Sequence, residues 1–343
     1  MNRIWLSFVR SYLSLGMFFY FKRIEVHGVE NVPKNKPILL LSNHQNALLD
    51  ALLIATKCGR FSYFLTRAGV FKSTLISKIL KSLRMLPVYR IRDGWGNLAN
   101  NKAIFSSCVE LFNKNEAIVI FPEGSHNLKR TVRPLSKGFT RIIFETLDTH
   151  PNIDLQLVPV GLNFLNAERF SDSTALYFGN PISAKKFLSD DRNKDVIALK
   201  TVMQSEISKL TAHIPTENYD KTLQKLEKFN VNFLKPEAVN KSIATNFEFY
   251  ESQKKDSFSV VKKIFKLVLI IQLIVPYLIW KLIAKPKIKE KEFTSTFRFA
   301  IAITIVPLWL LIITLILAYN FGWLIALCFF TSVLLLTLLA VKL

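Results

Sequence analysis

Apolar residues in this chain are sorted by position as well as by period. Residues 299–341 are 43 consecutive positions without a charged side chain, and Lys342 follows. One bilayer crossing takes about 20 apolar residues. The run therefore predicts a hairpin of two helices, residues 299–319 and 321–341, turning at Asn320-Phe321-Gly322. A helix of a water-soluble core carries charge on its outer face at such lengths. Residues 267–284 form a weaker apolar stretch, interrupted by Gln272, Pro276 and Lys281. Lys262, Lys263 and Lys266 precede it, and Lys285, Lys287, Lys289 and Lys291 follow. Basic flanks prefer the cytoplasmic side, and a single crossing cannot place both there. A re-entrant or interfacial segment broken at Pro276 satisfies both, and is favoured over a third crossing. Residues 4–21 are apolar and aromatic but contain Arg10. Arg10 makes a crossing costly, and no small-x-small motif follows to mark a cleaved signal. The pattern predicts a helix lying in the membrane interface, with Arg3, Arg10, Lys22 and Arg23 toward headgroups.

Between these segments the pattern changes. Residues 37–42 and 117–121 are short uninterrupted apolar runs, as in strands covered on both faces. Residues 26–28, 86–89, 155–160 and 175–178 read as further strands, and Pro159 marks its strand as an edge or a strand end. Helical spacing covers residues 47–57, 98–113, 139–146 and 196–214. In residues 72–84, Leu75, Ile76, Ile79, Leu80 and Leu83 alternate with Lys72, Lys78, Lys81 and Arg84. This is a basic amphipathic helix that fits either a membrane surface or solvent. Strands alternating with helices predict an α/β fold. The organisation is an interfacial helix (1–23), a globular domain (24–214), a lysine- and asparagine-rich helical linker (215–262), a basic membrane-associated segment (263–298) and the hairpin (299–343).

Composition narrows the classes. Half of the 343 residues are hydrophobic, which excludes global disorder. Eleven glycines and three cysteines exclude collagen-like and disulfide-scaffold chains. Three unpaired cysteines fit a reducing compartment and present no metal-site spacing. The net charge of +21 fits an anionic membrane surface, and no nucleic acid partner is expected.

Candidate chemistry sits at the ends of the apolar strands. His44 follows the first, with Asn43 before it and Asp50 six positions later. A base that takes a hydroxyl proton needs a near-neutral pKa and a partner that fixes its tautomer, which imidazole and carboxylate supply. Phe121-Pro122-Glu123-Gly124-Ser125 follows the second strand, with Arg130, Arg133 and Lys137 close behind. Gly124 and Ser125 offer turn N–H groups to an anion. Arg90 ends a third strand, where a cation suits a phosphate. Each feature alone has an ordinary structural reading: a polar turn, a tight turn, a surface cation.

Taken in order, these features resemble the lysophospholipid and glycerophosphate acyltransferase family. The resemblance rests on Asn43-His44 with Asp50, Val88-Tyr89-Arg90, the Phe121–Ser125 turn, Val158-Pro159-Val160 and Gly179-Asn180-Pro181-Ile182, across residues 24–214. It implies a globule with a mixed, mostly parallel sheet flanked by helices. The implied reaction moves a fatty acyl group from a thioester, acyl-CoA or acyl-carrier protein, to a glycerophosphate-type hydroxyl. Lysophosphatidate is the foremost acceptor; glycerol 3-phosphate and a lyso-amino-acid lipid are alternatives, and a non-catalytic lipid-binding protein is the rival class. His44 would be the base and Asp50 its orienting partner. Asn43, Arg90, Phe121–Ser125, Arg130 and Lys137 would hold substrate. No metal or cofactor is implied. The implied location is integral, at the cytoplasmic face of a membrane such as the bacterial inner membrane. Two departures stand out. Five residues rather than the family's usual four separate His44 from Asp50, similar to fungal-type glycerol-3-phosphate acyltransferases, and His126 stands where the family commonly has Arg. The wider spacing requires His44 to sit in the turn before the helix, with a local backbone adjustment bringing Asp50 to it.

Overall fold

The computed structural model describes residues 3–71, 73–89, 101–247 and 259–343. Arg90 and Lys72 lie outside the described residues. The strands are β1 (Arg23–His27), β2 (Ile38–Ser42), β3 (Ser62–Arg67), β4 (Met85–Val88), β5 (Ala117–Ile120), β6 (Gln156–Phe164), β7 (Ser173–Phe178) and β8 (Ile182–Ser183). They form one sheet in the order β1-β7-β6-β2-β5-β3-β4, with β8 beside β6. Every pairing is parallel except those of β6 with β7 and β8. The all-apolar Ile38–Leu41 and Ala117–Val119 stretches lie inside this sheet, fully buried, because helices cover both faces.

Helices α1 (Arg3–Tyr20), α2 (Ala47–Lys57) and α3 (Thr74–Ser82) cover one face. Their core joins Met17, Tyr20, Leu49 and Leu53 to Leu40, Val119 and Val158, with Leu80 of α3 packed at its margin. The other face carries α4 (Asn101–Asn113), α5 (Gly138–Thr149) and α6 (Arg192–Lys209). There Phe112, Phe139, Ile143 and Met203 pack on Leu39, Leu41 and Ile118. The alternation of Leu39 and Leu41 with Ile38 and Leu40 between the two cores is the two-residue strand period. Helices α7 (Tyr219–Lys228) and α8 (Pro236–Ala244) form a satellite core around Leu226, Phe233 and Val239.

Two elements differ from the sequence expectation. β3 was not legible, because its Ser-Tyr-Phe-Leu-Thr-Arg sequence is neither a continuous apolar run nor a clean alternation. Pro159 is neither at a sheet edge nor at a strand end: it lies within β6, opposite Leu41 of β2. Its carbonyl accepts the Gly179 N–H at 2.9 Å, so its donor-less nitrogen faces the gap between β7 and β8. No ladder bond is lost there, which is why a proline is tolerated inside the sheet.

The membrane-type helices are α9 (Ser259–Gln272), α10 (Ile274–Leu278), α11 (Thr294–Phe321) and α12 (Trp323–Lys342). The last two are long and apolar enough to cross a membrane. Helix α9 and the helical run after it bend by 99° at a break around Leu273, the geometry of a broken span or a re-entrant loop. The turn expected at Asn320-Phe321-Gly322 contracts to Gly322 alone, whose φ of 85° suits glycine. Helix α11 also starts at Thr294, earlier than the apolar run, so its first turn belongs to the globule.

A Cβ built on Gly161 in β6 would run into the backbone carbonyl of Leu210, just past α6. Gly161→Ala is expected to destabilise the protein by about 1–3 kcal/mol through overpacking against an immobile backbone. The measurement is thermal unfolding of the purified full chain. Gly138→Ala, where an added Cβ meets only Ser136 Oγ at 3.8 Å, should not lower the midpoint.

Candidate active site

Parallel pairing of β2 with β5 places Leu41 beside Ile120. Three residues beyond that pair come His44 and Glu123, and the His44 backbone N–H donates to Glu123 Oε1 at 3.3 Å. The two motifs meet because adjacent parallel strands end on the same side of a sheet, where α/β folds gather ligands.

Asp50 lies in the first turn of α2 with its side chain fully buried. His44 Nδ1 is 2.8 Å from Asp50 Oδ2, and the same oxygen accepts the Asn46 N–H at 2.7 Å. The carboxylate therefore caps its own helix in the manner of a capping box while fixing the imidazole. The local adjustment demanded by the five-residue spacing is at Ala47, which has a φ of 42°. A non-glycine residue in that region is strained, and it persists only where surrounding contacts hold it. Here Ala47 is buried and the neighbouring Asn46 side chain donates to the Ala167 carbonyl at 2.9 Å. With Nδ1–H directed to a carboxylate, Nε2 keeps its lone pair, and it has no protein hydrogen bond among the described residues.

The Phe121–Ser125 turn braces this pair. The Phe121 ring stacks on His44 with centroids 4.1 Å apart. The Pro122 carbonyl accepts from Ser136 N at 2.8 Å. Gly124 has a φ of 75°, and its N–H closes the turn on the Phe121 carbonyl. That N–H is engaged within the turn. Arg133 clamps the turn: Nε donates to Glu123 Oε2 at 2.6 Å, Nη1 to Ser125 Oγ at 2.7 Å, and Nη2 to the Ser125 carbonyl. Burial pushes the Glu123 carboxyl above the ordinary range, and Arg133 pulls it back. Asn43 is engaged with β6, its amide exchanging two hydrogen bonds with the Leu162 backbone.

The structure does not gather all of the expected residues around His44. Arg130 lines the same polar cleft as His44 and Glu123, but its guanidinium donates to the Phe164 and Leu165 carbonyls and lies 3.7 Å from the Phe233 ring centroid. Burial lowers it to about 10. It anchors a loop rather than standing free for a phosphate. Lys137 is exposed at the N-cap of α5.

The sequence shows His126 only as a departure from the family's usual Arg, without its partners. The His126 ring meets His44 edge-on at 5.6 Å and Phe293 at 4.8 Å, and its Nε2 is 3.4 Å from Glu290. His126, Glu290 and Glu292 bring donor atoms within 4.8 Å of one another, a cluster with metal-ligand chemistry although Glu290 is exposed in a lysine-rich segment. Ser295, in the first turn of α11, donates to the Ala167 carbonyl that also receives Asn46. Contacts that join positions 46, 126, 167 and 295 have no local sequence signal.

Residues 23–163 match the family model described as Acyltransferase. The chain is 39% identical over 70 residues to an uncharacterized acyltransferase of Schizosaccharomyces pombe, covering 20% of this chain and 10% of that one. It is 24% identical over 169 residues to glycerol-3-phosphate O-acyltransferase 1 of Saccharomyces cerevisiae, covering 46% of this chain and 22% of that protein. It is 25% identical over 127 residues to a chloroplastic 1-acyl-sn-glycerol-3-phosphate acyltransferase of Brassica napus, covering 37% and 35%. The chain thus spans about a tenth to about a third of the length of these relatives. The histidine–aspartate pair and the Phe-Pro-Glu-Gly-Ser turn both lie inside residues 23–163, the segment that matches the Acyltransferase family model.

Proposed function

We propose that this protein transfers a fatty acyl group from a thioester to the hydroxyl of a glycerophosphate-type acceptor, with lysophosphatidate the foremost acceptor. The observation that carries the reading is the buried Asp50 carboxylate held 2.8 Å from His44 Nδ1, beside the Glu123 turn. His44 Nε2 takes the proton of the acceptor hydroxyl as its oxygen attacks the thioester carbonyl. The C–S bond then breaks, and the departing thiolate takes up the proton from the imidazolium. Asp50 holds the reactive tautomer and stabilises the charged imidazole between the two transfers. Arg133 and Phe121 keep the turn and the ring in place. The donor is acyl-CoA or acyl-carrier protein.

In this reading the reaction runs at the cytoplasmic leaflet, and two contacts support it. Lys342 Nζ reaches the Phe21 carbonyl at 2.8 Å and Arg298 reaches the Glu168 carbonyl at 3.0 Å, so the globule sits at the basic end of the apolar hairpin. Basic residues prefer that side.

The test is a lipid-product assay with the purified full chain in phospholipid nanodiscs. Labelled acyl-CoA or acyl-carrier protein is supplied with lysophosphatidate, glycerol 3-phosphate or a lyso-amino-acid lipid. Product with lysophosphatidate above the other two is expected; no acyl transfer to any acceptor with either donor would leave a lipid-binding protein. His44→Ala should abolish turnover while the protein stays folded in the membrane. Asp50→Asn should lower kcat on the order of 10²-fold or more through loss of tautomer control. Ser125→Ala should keep most of the rate, because Ser125 meets Arg133 rather than His44. A serine hydrolase would lose activity with that change. Arg133→Ala should cost on the order of 10-fold to 100-fold in kcat/KM by loosening the turn, measured in the same assay.

A further inference from the structure

The segment that joins the broken apolar run to α11 ends against the reactive histidine. Phe293 packs edge-on to His126 at 4.8 Å, and His126 in turn meets the His44 ring at 5.6 Å. Residues 285–291 of this segment read Lys-Pro-Lys-Ile-Lys-Glu-Lys, four lysines in seven positions. The strap has a defined backbone. Residues 285–287 and 291–293 form short helical turns, with the Ile288 N–H on the Lys285 carbonyl at 3.2 Å and the Phe293 N–H on the Glu290 carbonyl at 3.1 Å. Between the turns, Ile288 and Glu290 are extended. Neighbouring side chains of an extended chain point opposite ways. Glu290 and Glu292 turn toward His126, with donor atoms of all three within 4.8 Å of one another. Lys285, Lys287, Lys289 and Lys291 are exposed. No ion pair joins any of these four to a carboxylate among the described residues. Like charges this close in the chain repel one another, and a bound polyanion relieves that repulsion.

We infer that this lysine strap seats the nucleotide phosphates of an acyl-coenzyme A donor. The inference rests on the acyl-transfer reading above and names where its donor binds. A coenzyme A thioester carries its reacting carbonyl at one end of the pantetheine arm, and a pyrophosphate and a 3′-phosphate at the other. Cations that hold those phosphates must stand off from the base, on a path that leads back to it. The strap is placed in that way: from Phe293 to Lys285 is at most roughly 30 Å even for a fully extended chain. Other cations beside His44 offer less. Arg130 donates to the Phe164 and Leu165 carbonyls, and Arg133 to Glu123 and Ser125, which leaves Lys129 as the exposed cation lining the cleft among the described residues. Ammonium groups on flexible stems hold phosphates as point charges. The preference of basic residues for the cytoplasmic side accounts for lysines near a membrane, but not for lysines on a strap that ends at the catalytic histidine. A carrier protein would cover roughly 800 Å² on its partner, wider than a seven-residue strap, whereas a nucleotide is compact enough to fit it.

The test uses the full chain in phosphatidylcholine nanodiscs, which present no anionic headgroup to compete. Binding of coenzyme A itself is titrated, without turnover. Lys285→Gln, Lys287→Gln, Lys289→Gln and Lys291→Gln combined should weaken it on the order of 10-fold. The unmodified chain should bind 3′-dephospho-coenzyme A more weakly than coenzyme A. The control combines Lys34→Gln, Lys114→Gln, Lys185→Gln and Lys186→Gln, all exposed and at the other end of the sheet, where β2, β5 and β6 begin. It removes the same charge and should leave the affinity as it was. In the transfer assay, palmitoyl-CoA should be preferred to palmitoyl-pantetheine, which has the thioester but no nucleotide phosphates, and the strap variant should lose on the order of 10-fold of that preference. Coenzyme A affinity equal in the unmodified chain and the strap variant, or lowered as much by the control, would overturn the inference. So would an equal loss of rate with both thioesters, the mark of a damaged fold, or a strap variant that loses affinity for holo-acyl-carrier protein and not for coenzyme A. Coenzyme A binding that falls in the strap variant of a chain that transfers no acyl group would keep the site and refute only the reaction.

Discussion

Parallel pairing of two buried strands is the constraint on which the site depends. β2 and β5 run side by side through the interior with Leu41 against Ile120. That register decides that the residues leaving both strands emerge at one point and in step. His44 and Glu123 face each other for this reason and not because of any attraction between distant motifs. A slip of one residue would turn the side chains of either strand to the other face, and the buried Leu39, Leu40 and Leu41 would not permit it.

Once the strands are set, the polar groups behind the reactive imidazole have to be satisfied without water. Asp50 and Asn46 are buried and Glu123 nearly so. Unpaired, each would be costly. Asp50 divides one oxygen between the His44 ring and the Asn46 N–H, and Glu123 divides its two oxygens between the His44 N–H and Arg133. Each bond that removes a penalty also removes a degree of freedom from His44. The strained φ of Ala47 is held within the same network.

The membrane helices are bonded into that network. The loop between β6 and β7 is the junction. Ser295 of α11 and Asn46 both donate to the Ala167 carbonyl, Arg298 to the Glu168 carbonyl, and Ser171 to the Val341 carbonyl of α12. On its other side Arg130 holds the Phe164 and Leu165 carbonyls. Backbone acceptors drawn out of water by these helices need such donors. The outcome is that the base of the hairpin and the turn carrying His44 share one carbonyl.

Local chemistry alone determined a good deal. The uncharged run after Phe299, the break near Pro276, the apolar strands and the histidine and glutamate motifs at their ends are properties of short stretches, so they show in the chain itself. The parallel register, the entry of Pro159 into the sheet interior and the mixed-pattern β3 depend on which strand lies beside which. Likewise Arg133 and Arg130 are two similar cations in one loop, and nothing local says that the first clamps Glu123 while the second reaches the β6–β7 loop. Ser295 and His126 acquire partners more than a hundred residues away. Such contacts are decided by how buried polar groups find donors after the core has closed, and that is a property of the folded chain.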